Sequence, residues 1–334
     1  MTPRRVRDPM LHTPLILDRD AVRAALPMPQ LIDACGRAFA QYSAGRAALP
    51  SVIHLDVADH RAEVHVKAGY LLGGSYWAVK VAGSFPENAE RGAATSDGLV
   101  LVFDAATGAL RALLHDHGYL TDARTGAAGG VAARHLAPTR VRTVAVIGNG
   151  VQARFQLDGL AVVRPGFEEV RVWGRDSNGT DRCIEDLGRR PGLPAGCRYV
   201  RADSVESAVR GANLVITCTA SREPLVRAEW VGAGCHITAV GSDGVGKQEL
   251  DPALLERADR IAVDSRDQCA RLGELQHAPA AGMALGDRVV ELGEIVAGNQ
   301  PGRQADSELT ICDLTGVGVQ DVAAATMVLE NASG

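Results

Sequence analysis

Gly148, Gly150 and Ala153 form a Gly-x-Gly-x-x-Ala run, with Val151 and Gln152 inside it, directly after the apolar segment Val144-Ala145-Val146-Ile147. A strand that feeds such a run, with a helix opening from it, is the context in which a dinucleotide pyrophosphate binds: missing side chains let the backbone approach the phosphates at the positive helix end. The next strand in this reading, Glu169 to Trp173, runs into Gly174-Arg175-Asp176. NAD asks for an acid there, to hold the ribose 2′-hydroxyl, whereas a neutral residue followed by arginine suits the 2′-phosphate of NADP. Gly174 removes the acid and Arg175 supplies a cation. The expectation is an NAD(P)H site tilted mildly to NADP(H), with Asp176, one place late, keeping NAD(H) open.

The elements that must position these residues fall into two rhythms. Asp18 to Ala40 reads as one helix, capped by Asp18 or Asp20. Past Gly45 and Pro50 come short strands: Val52–Val57, Glu63–Lys67, Tyr76–Val81 and Leu99–Phe103, separated by Gly and Asp turns. Gly118 to Leu136 reads as an alanine-rich helix with Thr121 or Asp122 at its N-cap, ending before Pro138. From Arg142 strands alternate with helical segments, with later strands at Leu214–Thr217, His236–Val240, Arg260–Val263 and Leu309–Cys312. That alternation implies an α/β fold, a doubly wound parallel sheet of the Rossmann type. Gly318 to Asn331 has a helix-like apolar pattern and is expected to fold back on the first domain. The expected domains are 1–138, 139–314 and a return at 315–334.

A chain of 334 residues exceeds the usual single-core size, so two domains are the default. With 46% apolar and 22% charged residues the composition is that of a folded protein. A net charge of −5 without a basic stripe argues against nucleic acid as a partner. Seven scattered cysteines without CxxC pairs suggest neither disulfides nor a zinc site, and no metal is expected. The basic start, Met1 to Asp8, is followed by Asp18, Arg19 and Asp20 before any signal-peptide core forms, and no run is long enough to span a membrane. The expected compartment is the cytoplasm.

Three segments, Gly118 to Ala127, Gly148 to Arg154 and Gly241-Ser-Asp-Gly-Val-Gly-Lys-Gln-Glu-Leu250, occur in an order that resembles the ornithine cyclodeaminase and μ-crystallin family. The resemblance implies a homodimer, with a discontinuous α+β domain that binds substrate and forms the subunit contact through its sheet. It implies that Lys80 contacts substrate near the reacting carbon, that Arg124 clamps the substrate carboxylate, and that Asp243 handles the proton at the substrate amine. The chemistry agrees, since a planar guanidinium holds a carboxylate at two points and so orients the α-carbon. Thr121 and Thr217 join the glycine-loop residues as cofactor candidates.

The pattern also departs from the family. True ornithine cyclodeaminases carry a glutamate and a Met-Pro pair upstream of the lysine, where this chain has His65 and Lys67, and the arginine expected after Pro50 is replaced by Ser51 and Val52. His65 and Lys67 stand as substrate-binding candidates beside Arg124, and Lys67 either adds a cation for a carboxylate, a second one on the substrate included, or stabilises the strand surface. The leading expectation is therefore an NAD(P)H-dependent oxidoreductase acting on a small amino or imino acid. The alternatives are an amino-acid cyclodeaminase and, against the retention of Lys80, Arg124 and Asp243, a non-catalytic binding protein like μ-crystallin.

Overall fold

The structure, a computed structural model, describes residues 13–332. The basic residues Met1–Asp8, read above for a targeting signal, lie outside the described residues. The chain groups into two units. The first takes the chain up to Pro27, Arg46–Thr121 and the stretch from Asp321 on; the second takes Met28–Gly45 and Asp122–Gln320. The sequence boundaries at 138 and 314 are thus displaced. Met28–Gly45 and most of the helix before Pro138 belong with the second unit, where Gly36 packs against Val131 and Val296 and Gly130 against Ile32.

Strands in the first unit are β1 (Leu15–Asp18), β2 (Ala47–Ala48), β3 (Ile53–Val57), β4 (Ala62–Leu71), β5 (Tyr76–Ser84), β6 (Ser96–Asp104) and β7 (Leu110–His115). They form one sheet in the order β1-β7-β6-β5-β4-β2, with β3 also paired to β4. All pairings are antiparallel except that of β1 with β7. Because side chains alternate across a strand, the register Lys67↔Lys80↔Val100 puts both lysines on the face that holds buried Val100, Val102 and Leu114.

The expected helix from Asp18 to Ala40 is two helices, α1 (Arg19–Ala24) and α2 (Met28–Ser43). Pro27 separates them: its ring disfavours helical backbone in the preceding residue and it offers no N–H to continue the ladder. Asp18 does cap α1, its carboxylate accepting from Ala21 N. Helix α3 (Tyr119–Leu136) starts earlier than expected. Neither Thr121 nor Asp122 caps it; the buried carboxylate of Asp116 does, accepting from Leu120 N at 2.5 Å and Gly118 N at 3.4 Å.

The second unit carries β8 (Thr143–Ile147), β9 (Glu169–Trp173), β10 (Arg198–Arg201), β11 (Leu214–Thr217), β12 (Arg222–Val226), β13 (His236–Ala239), β14 (Gln248–Leu250), β15 (Arg260–Val263), β16 (Val289–Glu291) and β17 (Thr310–Asp313). Eight of them form a parallel sheet in the order β10-β9-β8-β11-β13-β17-β15-β16. β8 has its successor β9 on one side and β11 on the other, which makes its carboxyl end the switch point where ligands of such sheets bind. Its central strands are buried, Val144–Ile147 among them, as expected of a sheet covered on both faces, whereas β9 and the edge strand β10 carry partly exposed polar residues. Helices α4 (Val151–Val163) and α5 (Ser177–Arg189) follow β8 and β9, and the last element among the described residues is the helix Gly318–Ala332.

Candidate active site

In the second unit the glycine loop is shaped for a phosphate. Gly148 has φ +127°, a conformation open to glycine, and a Cβ there would sit 2.7 Å from Cys218 O. Gly150 caps α4 without any side-chain hydrogen bond, and a Cβ built on it meets nothing within 4 Å. Uncapped N–H groups beside open space at a helix start are what a pyrophosphate requires, so the residues fit a dinucleotide. Ala153 is buried against the sheet, while Val151 is exposed. Gln152 Nε2 reaches Asp122 Oδ1 at 3.2 Å, tying α4 to α3.

Past β9, Arg175 is exposed. Asp176 caps α5, accepting from Asn178 N at 3.1 Å and Gly179 N at 2.9 Å. Gly174 has a packing reason of its own, because a Cβ there would lie 2.4 Å from Asn149 Nδ2. Thr217 is wholly buried at the end of β11.

Arg124 lies one turn into α3, almost wholly buried, with Nη1 donating to Gln320 Oε1 at 2.7 Å. α3 reaches α4 by backbone contact. A Cβ on Gly126 would lie 2.3 Å from Phe155 O, and one on Gly159 2.1 Å from Gly126 O. Gly316, at φ +82°, lies against the guanidinium, and Asp264 fixes that loop by accepting from Thr315 N and Gly316 N at 2.9 and 2.7 Å.

The third motif is a loop after β13. Asp243 is exposed and pairs with Lys247 Nζ at 2.5 Å. Glu249, at the motif's end, is buried and accepts from Thr219 N, Thr219 Oγ1 and Gly241 N. Burial drives its pKa up to about 7 against those hydrogen bonds. Glu274 accepts from the N–H of Glu249 and Leu250, and burial followed by the charges of Asp313 and Glu249 raises it well above the carboxylate range.

In the first unit Lys80 is buried with its Nζ 3.0 Å from each carboxylate oxygen of Asp321, the residue after the partner of Arg124. Asp116 adds negative charge near Lys80; burial raises its own pKa, opposed by its hydrogen bonds to Leu120 and Gly118 N–H. Lys67 is the cross-strand partner of Lys80. His65 shares its strand face but is grouped by the structure with the His54 ring and with Glu63, 3.5 Å from its Nε2. Burial, then the nearby His54 and Lys67, lower its pKa, against Glu63.

Lys247 and Glu249 stood in the third motif without a role, and Asp116, Gly316, Gln320 and Asp321 escaped the sequence reading. Only the last pair left a signal: Gln320 and Asp321 interrupt Val319 and Val322 where helical periodicity asks for apolar residues.

A parallel sheet with a glycine loop and an uncapped helix at its switch point defines the class of dinucleotide-binding α/β proteins. The chain belongs to the ornithine cyclodeaminase/mu-crystallin family, whose profile matches residues 12–334. It is 43% identical over 285 residues to an uncharacterized cyclodeaminase of Sinorhizobium fredii, covering 85% of each chain. A Thermococcus litoralis Δ(1)-pyrroline-2-carboxylate reductase, solved with NADH and L-proline, superposes with a TM-score of 0.88 at 29% identity over 96% of this chain and 97% of that one. An archaeal alanine dehydrogenase, a dimer with bound NAD, does so with 0.86 at 34% identity over 96% of each.

Proposed function

We propose that this protein is an NAD(P)H-dependent oxidoreductase acting at the α-carbon of an amino or imino acid, as an imino-acid reductase or, in reverse, an amino-acid dehydrogenase. The observation that carries the proposal is the locking of α3 onto α4: the helix bearing buried Arg124 is packed by glycines on the helix that opens from the phosphate loop. A carboxylate clamp and a cofactor cradle built on two interlocked helices keep a fixed geometry, which hydride transfer needs.

When bound, the nicotinamide supplies or accepts the hydride. Arg124 holds the substrate carboxylate, and Lys80, its charge balanced by Asp321, positions and polarises the substrate, with Lys67 assisting at the carboxylate. Asp243 manages the proton on nitrogen, with Lys247 Nζ 2.5 Å from its carboxylate. Arg175 takes the 2′-phosphate of NADP(H), a preference supported by the capping role of Asp176; the two solved relatives hold NAD or NADH. We further propose a cytoplasmic homodimer joined through the sheet of the first unit. Among the described residues no helix is long and apolar enough to cross a membrane.

The name of the Sinorhizobium relative favours a second reading, cyclodeamination. One assay separates them. Purified protein given NADPH or NADH and a panel of cyclic and acyclic α-imino acids should consume cofactor in step with amine product. Ornithine or lysine with catalytic NAD⁺ should release little ammonia. Rapid ammonia release with a cyclic imino-acid-derived product and no net change in nicotinamide absorbance overturns the reductase reading.

A further inference from the structure

The hairpin of β3 and β4 brings together groups that the proposed hydride chemistry does not use. Its register sets His54 opposite His65 and Asp56 opposite Glu63. Alternation along each strand puts all four side chains on one face. The two imidazole rings meet edge to face with centroids 4.7 Å apart. Glu63 Oε2 lies 3.5 Å from His65 Nε2, and Asp56 Oδ1 lies 3.0 Å from His54 Nε2. Among the described residues, His54, Glu63 and His65 form the one His/Cys/Asp/Glu group whose ligand atoms all fall within 4.8 Å of one another.

We propose that this hairpin is a binding site for a zinc-class divalent ion, with His54, Glu63 and His65 as its ligands. Like charges directly opposite across two strands destabilise the pair. Asp56 faces Glu63 in that way, and a cation beside them turns the repulsion into attraction. Two imidazoles with one carboxylate select zinc, nickel or copper, whereas calcium and magnesium take oxygen ligands throughout. Zinc bonds of about 2.1 Å at tetrahedral angles place ligand atoms roughly 3.4 Å apart. The gap between His65 and Glu63 already has that size, and His54, exposed on β3, can close the rest by a side-chain rotation. Asp56 then stands beside the His54 ring as the carboxylate that a metal-bound histidine ordinarily keeps. Three protein ligands leave the fourth position to water. β4 is hydrogen-bonded on both sides, to β3 and β5, so the ligand strand is held in place.

The test uses the full chain, stripped with chelator and titrated with Zn²⁺ by calorimetry and with Co²⁺ by visible absorption. Wild type should bind one equivalent per chain, with cobalt bands of a tetrahedral site that zinc displaces. His54→Ala and His65→Ala should each weaken zinc binding about tenfold or more, the loss of a ligand exceeding that of an outer-shell partner. His60→Ala, exposed in the hairpin turn but outside the group, should bind like wild type. Glu63→Gln keeps the side-chain shape and serves if an alanine variant melts early; it should weaken zinc and shift the cobalt spectrum. Absence of binding by folded wild type, unchanged binding in the His54→Ala/His65→Ala double variant, or an equal loss in His60→Ala overturns the proposal.

Discussion

Arg124 keeps one terminal nitrogen 2.7 Å from Gln320 Oε1, so its planar fork is oriented before any substrate arrives. A lysine in its place retains charge but cannot reproduce a two-point contact with a carboxylate. Arg124→Lys should therefore raise KM and lower kcat together, which steady-state kinetics on the best imino acid will show. Asp243→Asn, at an exposed loop position, should leave cofactor binding near wild type and cut turnover by roughly 100-fold, the range for lost acid–base catalysis. Wild-type kcat in that variant would make Asp243 a turn residue held by Lys247. For the cofactor, Arg175→Ala should weaken NADPH binding more than NADH binding, measured by fluorescence titration, because only NADPH offers a phosphate to the guanidinium. Equal weakening would remove the basis for the preference.

At the level of elements, legibility followed burial and locality. The central parallel strands of the second unit, such as β8, β11 and β15, were readable because each carries a short apolar run, and the glycine loop because strand, loop and helix are consecutive in sequence. Strands β1 and β2, four and two residues long, carry too little alternation to register, and β7, β10, β12, β14 and β16 were missed as well. Asp116 was missed as the cap of α3 because it acts from four residues before the N–H it accepts. The Lys80–Asp321 pair spans 241 residues, beyond any local pattern. Glycine is ambiguous in sequence, and the structure separates its uses. A Cβ on Gly159 would collide with the backbone of Gly126, whereas one on Gly150 meets open space. Gly159→Ala should thus lower the melting temperature, by an overpacking cost of about 1–3 kcal/mol. Gly150→Ala should melt like wild type without cofactor, yet bind NAD(P)H about tenfold or more weakly, because the pyrophosphate needs the space a methyl would take. A Gly150→Ala protein that binds cofactor normally would dissociate the loop from the phosphate.

For the molecule as a whole, the buried acids set how stability follows pH. Asp313 is pushed up to about 8, by burial first and then by Asp264, and Glu249 up to about 7. Such carboxyls keep their proton when folded and lose it when unfolded, so the folded state binds more protons between the ordinary carboxylate pKa, about 4, and these raised values. Stability should be greatest at the acid end of that window and fall as pH climbs to about 8. Asp313→Asn, which can still accept from Leu275 N, should flatten the fall in melts taken across the window; an unchanged slope would remove Asp313 as its source. The sheet of the first unit argues for the state of assembly. On the face opposite Lys80, the register aligns Ile16, Leu113, Leu101, Val79 and Ala68 in one row across five strands, and Leu99, Val81, Val66 and Ile53 in the next. All are at least partly exposed in the single chain, with Ile16 72% and Ile53 61% accessible. A continuous apolar face of this kind on a folded chain marks an interaction surface, and a sheet face shared by two copies about a twofold axis closes without leaving an open edge for further growth. Leu101 stands in the middle of the first row. A glutamate there must give up its hydration without a partner if the face is covered, while in a separate chain it is merely a solvated charge. Leu101→Glu should therefore fold, bind cofactor and run as a monomer in light scattering at concentrations where the wild type runs as a dimer. A dimeric Leu101→Glu protein, or a monomeric wild type, would place the subunit contact elsewhere or remove it.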